Sequence, residues 1–213
     1  MPSIAVIGTE NYYEEKSTSD AVAVTDQMSD WWSEEIEDNS NDYDATFSRF
    51  DYEIPESSLS TSNMDARMSS AQVWINNNVI QPEYYDCFLV LDWIQETGDG
   101  WPLGKADLGE AMTDNERIGM TNFYRFRNQG IWRAPFFLEV LGEGTAFHEL
   151  LHCFSAEHPD GSVNSSDEAS FILNSSKGSD DDTCSFAGNS DIRTSWCSNC
   201  TIHSVQTYIE NHS

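Results

Sequence analysis

Hydrophobic positions along the chain follow two periods, one typical of β-strands and one typical of helices. Short apolar or alternating runs predict strands at residues 3–8, 45–54, 84–93 and 117–126. Apolar residues at helical spacing predict helices at 19–37, 62–80, 136–154 and 202–210. The run 84–93 is almost continuously apolar, which is typical of a central strand covered on both faces. Strands alternating with helices predict an α/β fold built on a mixed, mostly parallel sheet of about five strands.

The chain has the size of one domain. Its 213 residues, 38% of them hydrophobic, are enough to build one well-packed core. From residue 160 to 199 the sequence is dominated by Ser, Asp, Asn and Gly, which predicts irregular loops. We therefore expect a single domain over residues 1–213. It comprises a sheet-and-helix part (1–158) and a small, irregular C-terminal part (159–213) that ends in a helix.

Three of the five histidines lie within the stretch FHELLHCFSAEH. His148 and His152 are four residues apart, so on a helix both imidazoles project from one face and can share a cation. Glu149 stands beside them, within reach of a water on that cation. A catalytic zinc needs a third protein ligand and an open position for water, and His158 is the nearest candidate. The spacing predicts a zinc site rather than a chance placement of histidines on a helix.

His158 cannot bind the same ion from a continuous helix, because ten residues at 1.5 Å each would place it about 15 Å away. The helix must therefore end near Phe154, and the chain must turn back. Such a turn uses a left-handed residue, normally Gly, and Ser155 occupies that position. Serine in this conformation costs about 1–2 kcal/mol, well below the roughly 10 kcal/mol that a structural zinc contributes.

These residues resemble the metzincin metallopeptidases, whose motif H-E-x-x-H-x-x-G-x-x-H is matched by His148, Glu149, His152 and His158, with Ser155 in place of Gly. Within that clan the chain looks most like the adamalysin (reprolysin) group. The stretch HPDG, which begins at the third histidine, and the segment WCSNCTIHSVQTYIE before the chain end are similar to that group.

The resemblance has two departures. Metzincins place a methionine in a turn beneath the zinc, whereas the last methionine here is Met120, before the motif. Leu173, in SFILNSS, stands where that turn would fall and would supply the apolar packing. The aspartate expected directly after the third histidine is Pro159 here, and Asp160 follows one place later.

The resemblance implies a zinc endopeptidase acting on a peptide or protein substrate. Zn²⁺ would polarise the scissile carbonyl and lower the pKa of its bound water toward about 7. Glu149 would take the proton of that water and pass it to the leaving amine. Gly104 and Ala106, in the stretch GWPLGKADLG, would belong to an edge strand along the substrate backbone. Leu173 and Asn174 would contact the substrate from the loop region that sets subsite preference.

The net charge of the chain bears on its source organism and on its binding partners. The chain carries 37 Asp and Glu against 10 Lys and Arg, a formal net charge of −27, which makes nucleic acid and anionic membranes poor partners. The acidic residues are spread among 26 aromatic ones, so this is a folded domain suited to molar salt, where the Debye length is about 3 Å. We expect a halophilic, archaeal or archaeal-virus, source. Without a signal peptide or membrane span in the sequence, a cytoplasmic or virion-associated location is expected, with secretion only if a leader was removed.

Alternatives remain open at this stage. Cys184, Cys197, Cys200 and His203 could form a second, structural zinc site, although a disulfide or plain thiols fit the spacing better. The chain could be an inactive zinc-binding structural or adhesion protein of a virus particle, incorporated in a larger assembly, for which the missing Gly and Met argue. It could also be a zinc hydrolase of a non-peptide amide.

Overall fold

A computed structural model of the protein describes residues 1–37, 42–95, 104–112, 117–124, 136–161, 168–169, 192–193 and 197–213. Within them, β1 (Ser3–Thr9), α1 (Glu10–Glu15), α2 (Thr18–Glu35), β2 (Thr46–Ile54) and α3 (Met64–Asn78) form the N-terminal half. They are followed by β3 (Cys87–Asp92), β4 (Gly104–Ala106), β5 (Ile118–Asn122) and α4 (Phe136–Cys153). The C-terminal part contains β6 (Glu168–Ala169), β7 (Ile192–Arg193) and α5 (Asn199–His212).

The main sheet has five strands in the order β2-β1-β3-β5-β4. β1, β2, β3 and β5 are parallel, and β4 pairs antiparallel with β5 at one edge. The predicted mixed, mostly parallel sheet is confirmed, and β3 is its middle strand as expected. β6 and β7 form a separate two-stranded parallel pair in the region predicted to be irregular.

Both faces of the sheet are covered, because successive side chains on a strand point to opposite sides. In β3, Cys87, Leu89 and Leu91 face the cluster that also contains residues of α2, α4 and α5. Phe88 and Val90 face the second cluster, formed with α3. All five side chains are fully buried, which explains why this segment is a continuous apolar run in the sequence.

The helices begin at residues that cap them. Ser17 and Asp20 form a reciprocal capping box at the start of α2, and the Asn63 side chain accepts from the Ala66 N–H at 2.9 Å at the start of α3. α1 was not predicted. It begins directly after β1, where the Thr9 hydroxyl accepts from the Tyr12 N–H at 3.1 Å. None of the helices in the described ranges has the length and apolar character needed to cross a bilayer.

Candidate metal centre

Helix α4 lies against β5, and small residues permit the close approach. A Cβ added to Gly119 would stand 3.3 Å from Cys153 Sγ and 3.5 Å from Glu149 Cβ, and one added to Gly142 would stand 2.6 Å from Phe123 Cε1. The face of α4 that carries Glu149 therefore packs against the sheet. His148 and His152 project from a neighbouring strip of the same helix, one turn apart.

The helix ends as the sequence predicted. Ser155 has a φ of 71°, so it is in the left-handed region. The Ser155 N–H donates to the His152 carbonyl at 2.9 Å, and the Ala156 N–H donates to the Leu151 carbonyl at 3.1 Å. These two bonds form a Schellman motif, which reverses the chain and brings His158 back toward the helix.

The three histidines meet at their Nε2 atoms. The Nε2 atoms of His148 and His152 are 2.9 Å apart, and that of His158 lies 3.2 Å from each. Two imidazole nitrogens bound to one zinc at about 2.0–2.1 Å and a tetrahedral angle are roughly 3.3–3.4 Å apart. The spacing therefore fits a zinc ion with three histidine ligands. Within the described residues, this triad is the group of side chains that could hold a metal ion.

The protonation of His152 also suits a ligand. Its Nδ1 lies 2.6 Å from the Ala156 carbonyl oxygen, which can only accept, so Nδ1 carries the proton and Nε2 presents its lone pair to the other two rings. Burial lowers the pKa of His152 to about 4, so the ring is neutral at neutral pH. The helix turn that brings back His158 thus also fixes the tautomer of the second ligand.

The turn carrying His158 is tied to α5 by Asp160. The Asp160 carboxylate accepts from the Glu157 N–H at 2.8 Å and from the Ser204 hydroxyl at 3.0 Å. Its carbonyl accepts from the hydroxyls of Ser198 and Thr201. Sequence analysis noted Asp160 as displaced by one place but did not identify this anchor. Hydroxyl residues at 198, 201 and 204, spaced by three on one helix face, were the available signal.

Glu149 is buried beside the triad, only 6% exposed. Its carboxyl group lies over the edge strand, where a Cβ added to Gly104 would stand 2.5 Å from Oε1. Burial raises the pKa of Glu149 to about 8, and the positive charge of Lys105, on the other face of β4, opposes that rise. A cation at the triad would add to the effect of Lys105 and favour the carboxylate form.

The structure describes two of the four predicted substrate-binding residues. Gly104 and Ala106 are the end residues of β4, which is an edge strand as expected. Gly104 is adjacent to Glu149, so edge strand and candidate base share one location. Leu173 and Asn174 lie outside the described residues.

The described residues do not form the second zinc site, and Cys184, one of its four candidate ligands, lies outside them. Cys200 is disulfide-bonded and has no thiolate to give to a metal. Cys197 is a free, buried thiol whose pKa burial raises well above its usual value, because burial disfavours the thiolate. Cys200 therefore forms a disulfide and Cys197 is a plain thiol, which are the two alternatives to zinc.

Comparison with known proteins finds a similar fold but no match in sequence. No known family's sequence profile matches the chain, and no curated protein matches it in sequence. Among solved structures, the fold is similar to that of archaemetzincin from Methanopyrus kandleri, with a TM-score of 0.55 and 14% sequence identity. The match covers 98% of this chain and 96% of that one. The chain thus has a metzincin-like fold along nearly its whole length.

Proposed function

We propose that this protein is a zinc-dependent peptidase that hydrolyses peptide bonds at the His148, His152 and His158 site. The observation that supports it most is the convergence of three Nε2 atoms within 3.2 Å of one another beside a buried glutamate. The similarity of the whole fold to an archaemetzincin agrees with the proposal of a zinc-dependent peptidase.

In this proposal each residue has one task. The three imidazoles hold the zinc, which when bound polarises a carbonyl and makes a water more acidic. Glu149 accepts a proton from the attacking water at a carboxylate oxygen and donates it to the leaving amine. Because Glu149 is only 6% exposed, bulk water has little access to its carboxyl group.

The position of β4 supports a peptide as the substrate. β4 is the last strand of the sheet, and its outer edge pairs with no other strand among the described residues. An extended peptide added to this edge would receive backbone hydrogen bonds and pass next to Glu149. We propose that Gly104 and Ala106 contact the substrate backbone in this way and that Leu173 and Asn174 contribute from the C-terminal part. A substrate held along a strand can continue in both directions, which favours an endopeptidase.

The narrower assignments rest on the sequence. We propose a relation to the adamalysin group from the HPDG stretch and the C-terminal segment. A halophilic source, with a cytoplasmic or virion-associated location, is proposed from the net charge of −27.

The metal is tested by elemental analysis of the wild-type protein and the His158→Ala variant. We expect one zinc per chain in the wild type and a large loss in the variant, because two histidines leave the site one protein ligand short. His203→Ala is the matched control, since His203 lies on α5 outside the triad and should keep the zinc. Full zinc occupancy in His158→Ala would show that His158 is not a zinc ligand.

The reaction is tested by digestion of a peptide library in molar KCl with wild-type protein and Glu149→Gln. The glutamine keeps the shape but cannot accept the proton, so zinc should stay and cleavage should fall to background. Equal cleavage by both would refute the role of Glu149. A zinc-loaded wild-type protein that cleaves no peptide would refute the peptidase proposal and leave the inactive module or the non-peptide hydrolase.

A further inference from the structure

Thr121 on β5 is a buried residue whose hydroxyl is not satisfied. The side chain is 0% exposed, and its Oγ1 has no hydrogen-bond partner among the described residues. Most buried hydroxyls in proteins are hydrogen-bonded, because leaving one unpaired is costly. Valine has almost the same shape without that cost, so the hydroxyl calls for another explanation.

The strand pairing shows which way Thr121 points. Thr121 is two residues from Gly119, so both lie on the same face of β5. It is also the cross-strand partner of Gly104 on β4, and directly paired residues share a face. Gly119 contacts the Glu149 Cβ region, and Gly104 contacts the Glu149 carboxyl group. Thr121 is therefore a neighbour of both glycines over which the Glu149 side chain extends.

Opposite this face, α4 presents the Glu149 carboxyl group. The α4 residues that lie against β5 and Phe123 include Gly142, Glu149 and Cys153, which recur at helical spacing. Glu149 is the member of this row whose side chain has oxygen atoms. The carboxylate is thus a hydrogen-bond acceptor on the side of the sheet to which Thr121 points.

Lys105 does not serve the same purpose from β4. It pairs with Met120, whose side chain lies in the cluster on the α3 side of the sheet, so Lys105 points away from α4. Its ammonium group forms an ion pair with Asp65 on α3. On the α4 face of β4 and β5, formed by Gly104, Ala106, Gly119 and Thr121, the side-chain donor is Thr121.

We propose that Thr121 is a positioning residue, whose hydroxyl donates a hydrogen bond to the Glu149 carboxylate and orients it when a substrate occupies the β4 edge. This inference rests on the proposed peptidase function. In the structure the carboxyl group lies over Gly104, which is the cross-strand partner of Thr121. A carboxylate held by one donor keeps its other oxygen aimed at the water, which is what a general base requires.

The test compares Thr121→Val, Thr121→Ser and Thr121→Ala with the wild type, all loaded with zinc. A hydrogen bond to a charged group corresponds to about a tenfold to hundredfold change in rate, so kcat should fall by that factor in Thr121→Val while KM stays within about twofold. Thr121→Ser should recover most of kcat, and Thr121→Ala should not. Zinc content should be equal in all four proteins.

Metal-free protein supplies a second readout. Removing an unpaired buried hydroxyl should raise the Tm of Thr121→Val by about 2–4 °C. Thr25→Val is the matched control, because the buried Thr25 hydroxyl donates to the Ala21 carbonyl at 2.8 Å and lies in α2. This control should leave kcat unchanged and should not raise Tm.

Different outcomes overturn different claims. A Thr121→Val variant as active as the wild type, or a serine variant no better than alanine, would show that the hydroxyl does not position Glu149. If Thr121→Val folds poorly, the hydroxyl has a structural partner and the inference fails. If the wild type cleaves no peptide, the proposed function fails, and a raised Tm in Thr121→Val would still support the unpaired hydroxyl.

Discussion

Gly104 must remain glycine if the Glu149 carboxyl group is to keep its place. A Cβ at residue 104 would stand 2.5 Å from Glu149 Oε1, 2.7 Å from Cγ and 2.9 Å from Cδ. Favourable contacts between heavy atoms are near 3.5–4.0 Å, so the carboxyl group or the strand would have to shift by about 1 Å. Glu149 is 6% exposed and cannot swing freely into solvent. We predict that Gly104→Ala displaces the candidate base.

The expected magnitude follows from that displacement. A misplacement of 1 Å can reduce catalysis by about a hundredfold, so kcat should fall by roughly tenfold to a hundredfold. Overpacking typically costs about 1–3 kcal/mol, which lowers Tm by about 2–4 °C per kcal/mol in a chain of this size. Zinc content should not change, because Gly104 is not part of the triad.

The assay measures kcat, zinc content and Tm for Gly104→Ala, and also Tm for the same change in a Glu149→Ala background. Glu149→Ala removes all three atoms that the new Cβ would meet, so Gly104→Ala should then leave Tm unchanged. An equal loss of Tm in both backgrounds would show that the strain does not come from Glu149. Wild-type kcat in Gly104→Ala would refute the reasoning altogether.

Three further predictions concern stability. Ser155→Gly should raise the unfolding free energy of the metal-free protein by about 1 kcal/mol in urea denaturation, because φ is 71° at this position; a decrease would contradict the strain. Asp92→Asn should lower it by about 3–5 kcal/mol, since Asp92 is 0% exposed and accepts from Arg67 Nε at 2.5 Å and from the Thr9 hydroxyl at 2.7 Å; a change near zero would show that the buried pair is dispensable. Tm should be higher in molar KCl than at 0.1 M, where the Debye length is about 10 Å and the net charge of −27 repels itself; an unchanged or higher Tm in dilute salt would contradict the halophilic reading.

Much of the fold follows from local patterns in the sequence. The strand at Cys87–Asp92 and the helix at Phe136–Cys153 were predicted within three residues at each end, because burial on two faces and helical spacing leave distinct apolar patterns. Helix α1 was missed because it has only six residues and too short a pattern to show a period.

The sequence likewise predicts one part of the candidate site and leaves the other part to the tertiary structure. The approach of His148 and His152 is set by the pitch of one helix, and the return of His158 needs one left-handed residue at Ser155, so both could be predicted. The sequence also predicted an edge strand at Gly104 and Ala106 from family resemblance.

Only the tertiary structure shows that Gly104 lies against Glu149, that Thr121 is buried on the same face, and that Asp160 joins the third ligand to α5. The Gly104–Glu149 and Asp160–Ser204 contacts join residues 45 and 44 positions apart in the chain. No periodicity of a single helix or strand encodes them, because they depend on how the strands are ordered and which helix packs on each face. The metal ligands were therefore determined by one helix and the turn after it, and the surroundings of the base by the packing of the whole sheet.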